Sequence, residues 1–150
     1  MSLTERNFIV DAGESNMPDD EIFTGPIEQS VEGWVRFSYP CIRFSMEVAG
    51  IELTFRDGKA IEARAIKNQE FLLQQLDLDE GARFLGEFGI GLNPAIKRLT
   101  KDMLFDENIA GTVHLALGAG YPETGSLNAS VIHWDIRNGS EIIADDALIF

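Results

Sequence analysis

His114 and His133 are the chain's two histidines, and each lies in an apolar, strand-like run. His133 sits in Val131-Ile-His-Trp-Asp-Ile136. Alternate residues of a strand share a face, so His133 and Asp135 project together while Ile132, Trp134 and Ile136 point the other way. An imidazole beside a carboxylate on rigid backbone is a start for a divalent metal site. Equally, a histidine in an apolar strand is a common core residue, and two polar groups on a buried face need partners of some kind. Glu87, in Leu85-Gly-Glu-Phe-Gly89, is costly to bury unless paired or bound to a cation. Glu21, before Ile22-Phe23, reads as a ligand or as a plain surface carboxylate. Tyr121-Pro122 follows a Gly-rich turn and is by default a packing residue.

The elements that must position these groups are mostly strands. Residues 1–30 read as loop, broken by a short extended stretch at Glu21–Pro26 that ends in a breaker. Strands are expected at Val31–Phe37, Cys41–Val48 and Ile51–Phe55. Asp57-Gly58 between alternating runs marks a two-residue hairpin, because both positions favour positive φ. Asn68 is expected to cap a helix reaching Leu76, and Asp79-Glu80 to open a second, shorter one. Leu85–Ile90, Thr112–Leu117 and Ser130–Arg137 read as the strands that carry Glu87, His114 and His133. Residues 93–102 form an irregular connection, Phe105–Asn108 a turn or helix start, and Asp146–Phe150 part of a strand. Strands with two or three short helices predict an α+β fold with a mostly antiparallel or mixed sheet.

The 150 residues suit a single domain, 1–150, with residues 1–10 as a flexible or vector-derived lead. A net charge of −13 repels phosphates and argues against nucleic acid as a partner. No apolar run approaches the roughly 18 residues of a membrane span, and Met1–Arg6 lacks the basic-then-apolar pattern of a secretion signal. The lone cysteine, Cys41, forms no internal disulfide and suits a reducing cytoplasm; it reads as a buried structural thiol.

Taken in order, Met17–Pro26, Phe84-Leu-Gly-Glu87, Leu104-Phe-Asp-Glu-Asn108, His114–Pro122 and Ile132-His-Trp-Asp135 resemble segments of the thermophilic aminopeptidases. These are the metallopeptidases of the aminopeptidase T and aminopeptidase S type, often called leucyl aminopeptidases. The resemblance runs from about residue 10 to 144. It implies the C-terminal catalytic, metal-binding part of a longer two-domain enzyme, with an N-terminal domain missing. It also implies two divalent metal ions, zinc or cobalt before manganese or magnesium, held by Glu21, Glu87, His114, His133 and Asp135. Such ions would activate a water and polarise the scissile carbonyl. Glu87 or Glu107 would then shuttle a proton, and Tyr121 would donate to the oxyanion. Whether Glu107 is a ligand or an outer partner stays open. Peptides with a free N-terminus would be the substrates, and a homodimer in the cytoplasm the working state.

Asp20-Glu21 replaces a more usual Gly-Glu, which keeps the ligand. The link from Tyr121 to His133 is short, which bears on pocket shape. Two other readings compete: a non-catalytic assembly or fragment domain of the same fold, and an acidic α+β domain whose histidines are structural. In either, the five residues need not meet.

Overall fold

The computed structural model describes residues 1–13, 15, 17–139, 143–144 and 147–148. Its strands are β1 (Ile9–Asp11), β2 (Glu21–Thr24), β3 (Gly33–Arg36), β4 (Cys41–Arg43), β5 (Met46–Val48), β6 (Glu52–Arg56) and β7 (Lys59–Arg64). They continue with β8 (Leu85–Gly91), β9 (Thr112–Gly118), β10 (His133–Gly139), β11 (Ile143–Ala144) and β12 (Ala147–Leu148). Among the described residues, helix is confined to α1 (Gln69–Leu76), α2 (Met103–Asp106) and short 3-10 turns at Glu28–Ser30, Gly81–Arg83 and Pro122–Thr124. This is the expected α+β class, and the pairs these strands form are antiparallel among the described residues.

The main sheet runs β1-β2-β8-β9-β10, and a smaller one runs β3-β6-β7. Asp57 and Gly58 take φ of 49° and 79°, closing the β6–β7 hairpin as the Asp-Gly signal requires. The core lies between the two sheets and α1. Phe37, Val48, Ile51, Leu53 and Phe55 meet Leu72 and Leu76 of α1 and Leu85, Leu117, Trp134 and Ile136 of the main sheet. Trp134 is fully buried and meets Phe71 edge-on, with ring centroids 6.2 Å apart. One face of β10 is thereby fixed in the core, and His133 and Asp135 must emerge on the other.

Three local expectations need correction. Cys41–Val48 is not one strand but the hairpin β4–β5, turning at Phe44 and Ser45, whose φ values of 48° and 64° suit a tight two-residue turn. Neither residue is the Gly or Asn that announces such a turn. Asn68 precedes α1 in the left-handed region and makes no side-chain cap; its amide instead donates to Glu47 O at 2.8 Å. Within the first thirty residues, β1 pairs with β2, and Ile27 N donates to Ser2 O at 3.0 Å. Asp79 does open the Gly81–Arg83 turn, accepting from Ala82 N at 2.9 Å. Of the strand expected at Asp146–Phe150, Ala147–Leu148 pairs with β11, while Asp146, Ile149 and Phe150 lie outside the described residues.

Candidate metal centre

Register across the main sheet assembles the site. Opposed residues of an antiparallel pair project to the same face. One row runs Glu87, Ala116, Asp135 across β8, β9 and β10. The next runs Phe23, Gly89, His114, Arg137, and a third runs Asp11, Glu21, Gly91. Long polar side chains therefore stand beside alanine or glycine, which leaves them room to converge. At Gly86 the β8–β9 register shifts; a β-bulge re-aims the residue beside it, here Glu87. A side chain at Gly86 would collide with the carbonyls of Gly118 and Ala119.

His114 is completely buried, and its Nε2 lies 3.0 Å from Glu87 Oε1 and 3.2 Å from Glu21 Oε2. His133 Nε2 lies 3.4 Å from Asp135 Oδ2 and 3.7 Å from Glu87 Oε2. Glu87 thus reaches both imidazoles, one through each oxygen, as a bridging carboxylate would. His133 Nδ1 donates to Ala119 O at 2.7 Å. Since a carbonyl only accepts, this bond keeps the proton on Nδ1 and turns Nε2 inward, the arrangement that orients metal-binding histidines. Arg43 Nη1 donates to His133 O at 2.9 Å and holds the strand end.

A cavity of about 290 Å³ opens over this cluster, lined by Glu21, Glu87, Glu107, Tyr121, His133 and Asp135, with Phe23 and Leu104 as apolar wall. All five residues expected as ligands therefore meet, His114 lying behind the lining. Glu107 follows α2 in a loop tied down by its neighbours. Asp106 accepts from Thr100 N, Thr100 Oγ1 and Lys101 N, each at 2.7 Å, and Asn93 N donates to Asn108 O at 2.8 Å. Tyr121 leads into the Pro122–Thr124 turn. Its ring lies 5.3 Å from Phe23 and 5.4 Å from His133, centroid to centroid.

The electrostatics are those of crowded carboxylates. Burial, reinforced by Asp135, pushes the Glu107 carboxyl up to about 8. Burial also raises Glu87, against the pull of His114. His133 would be lowered by burial, but its contacts with Asp135 carry it up to about 9. His114 behaves alike, burial being outweighed by Glu21 and Glu87. Asp135 is held low despite burial because His133 hydrogen-bonds its charged form. Tyr121 is raised to about 12 by burial and the surrounding negative charge.

These residues fit a divalent cation. Glu21 Oε2, Glu87 Oε2 and Asp135 Oδ1 are buried with no hydrogen-bond partner among the described residues, a costly state for carboxylate oxygens unless a cation is present. Ligand atoms of Glu21, Glu87 and His114 all lie within 4.8 Å of one another. Carboxylates mixed with imidazoles suit zinc, cobalt or manganese. Cys41 takes no part: it is buried away from the cavity, its thiol pushed up to about 12 by burial.

The model of the thermophilic metalloproteases (M29) matches residues 4–146. The chain belongs to this family. Aminopeptidase T of Thermus thermophilus is 40% identical over 151 residues, an overlap of 89% of this chain and 36% of that protein. A solved structure of wild-type AmpT from Thermus thermophilus superposes with a TM-score of 0.76 at 40% identity, over 84% of this chain and 34% of that one. The chain thus spans about a third of the length of the relatives it matches. The fold also recurs in 2,5-dihydroxypyridine dioxygenase from Pseudomonas putida KT2440, with a TM-score of 0.59 at 19% identity over 79% of this chain. That likeness concerns the fold alone.

The sequence reading missed Asp11 and the spacers Gly89, Gly91 and Ala116. The glycines of β8 are visible in the sequence. What they accommodate depends on register, and no single strand shows that.

Proposed function

We propose that this chain is the metal-binding part of an aminopeptidase that hydrolyses the N-terminal peptide bond of peptides. Two divalent ions would be held by Glu21, Glu87, His114, His133 and Asp135. The imidazoles weigh toward zinc or cobalt over magnesium, with manganese intermediate. The observation that carries this reading is the convergence of both histidines on Glu21, Glu87 and Asp135, each with a buried carboxylate oxygen that accepts no hydrogen bond among the described residues.

Bound there, the ions supply the Lewis acidity that polarises the scissile carbonyl and makes a water nucleophilic near neutral pH. The protein's own groups do the rest. Glu107, which lines the cavity beside the ligand cluster, takes a proton from the attacking water and hands it to the leaving amine. Glu87 is less suited, because its carboxylate would be taken up in holding the ions. The Tyr121 phenol, protonated across the neutral range, donates to the carbonyl oxygen as it gains charge. His133 stays oriented through Ala119 O.

Such an enzyme would work in the cytoplasm as a homodimer. The remainder of the longer protein, and the second copy, would supply further walls of the substrate site. The test is turnover of a fluorogenic leucyl amide by the protein carrying this chain. Activity should vanish with a chelator, return with zinc or cobalt, and be lost in His133→Ala. Turnover that survives both chelation and His133→Ala would overturn the reading.

A further inference from the structure

We propose that Asp11 binds the N-terminal ammonium of the substrate, seating the chain end so that only the first peptide bond reaches the reactive groups. This rests on the aminopeptidase reading and names the group that makes the reaction exo-specific.

Asp11 stands directly opposite Glu21 in the β1–β2 register, so it continues the carboxylate row outward toward the sheet edge. Together with Ser15 it lines the same cavity as Glu21 and His133. Carboxylate oxygens of Asp11, Asp19 and Glu21 lie within 4.8 Å of one another, and none of the three residues is more than 8% exposed. The charges acting most strongly on Asp11, those of Asp19 and Glu21, are both negative. Glu21 is 5% exposed, and its Oε2 has no hydrogen-bond partner among the described residues. A cationic group entering the cavity would therefore meet carboxylate acceptors that are already buried and that crowd like charge together.

An ammonium suits this corner better than a further metal ion. It offers three N–H donors to acceptors at ordinary hydrogen-bond distance. Asp11, the Ser15 hydroxyl and Glu21 supply oxygens from one side. Asp19 is already committed to positioning, its Oδ2 accepting from Gly13 N at 2.9 Å. An internal peptide nitrogen carries no charge and gains nothing at Asp11, so internal bonds are not selected.

The test compares L-leucinol, an ammonium with no scissile bond, with 4-methylpentan-1-ol, its uncharged counterpart. Calorimetric binding to the metal-loaded protein carrying this chain is measured for wild type, Asp11→Asn and Asp11→Glu. Leucinol affinity should fall at least tenfold in Asp11→Asn and recover in part in Asp11→Glu, with the alcohol unchanged and metal content equal in all three. In turnover, KM for a leucyl amide should rise at least tenfold in Asp11→Asn while kcat moves less than threefold. Equal leucinol binding in wild type and Asp11→Asn would overturn the assignment, as would loss of one metal equivalent, which would make Asp11 a ligand. Failure of the aminopeptidase reading would show separately, as absence of turnover in wild type.

Discussion

Gly89 and His114 are cross-strand partners, and a side chain on residue 89 would run into the His114 ring. The imidazole lies over the backbone of β8, which is how a fully buried histidine can point Nε2 at Glu21 and Glu87 together. Gly89→Ala therefore has to tilt the ring or part the strands. Because supports that orient a ligand are worth about 10–100-fold in metal affinity, zinc affinity by competition with a chelating dye should drop at least tenfold. Unchanged affinity would mean that His114 does not hold metal.

Stability and metal binding should respond to pH in opposite senses. Glu107 at about 8 and His133 at about 9 both lie above their usual values of 4.5 and 6.5. The metal-free fold therefore keeps protons that the unfolded chain has released. Their contributions are full below 4.5 and 6.5 respectively, and are lost as pH rises through about 8 and about 9. Asp135 works the other way, but its contribution is complete above the usual carboxylate range. The metal-free protein should thus melt lower at pH 9 than at pH 6, by several degrees, since about 1 kcal/mol moves Tm by roughly 2–4 °C at this size. Metal displaces the same protons, so the gain in Tm on adding zinc should grow over that range. Thermal melts with and without metal decide it, and a gain that is flat with pH would count against the site.

Tyr121 makes its ring contacts with Phe23 and His133 through carbon, so Tyr121→Phe keeps the packing and removes the donor. Loss of one oxyanion donor costs about 10²–10³ in kcat. Steady-state kinetics should show that fall with KM nearly constant and Tm within about 2 °C of wild type. A variant with full kcat would leave the phenol with a packing role only.

Glu107→Gln separates two roles that the motif leaves open. As the proton carrier, its replacement should lower kcat by about 10²–10⁴-fold and flatten the pH–rate profile, with both metal equivalents retained. If elemental analysis shows one equivalent lost, Glu107 is a ligand instead.

Much of this architecture is legible from residue order. The alternation of Ile132, Trp134 and Ile136 against His133 and Asp135 follows from strand period alone, and the Asp57-Gly58 turn from backbone preference. The β4–β5 hairpin is not legible, because Phe44 and Ser45 carry no turn signal and adopt positive φ under tertiary constraint. Asp11 is hidden for a related reason. It lies in a polar, turn-rich stretch, and its meaning comes from pairing with Glu21, which depends on register between strands too short to show periodicity. The five expected ligands are individually ambiguous in sequence. What distinguishes them is convergence, which the sheet order β2-β8-β9-β10 creates and which no local pattern encodes.

Anomalous diffraction from crystals of the zinc-loaded protein carrying this chain tests the central claim most directly. Two peaks are expected, enclosed by Glu21, Glu87, His114, His133 and Asp135, with Glu87 touching both and ligand distances of about 2.0–2.2 Å. No peak in that cavity, or zinc held elsewhere while His114 and His133 keep only their carboxylate partners, would contradict it.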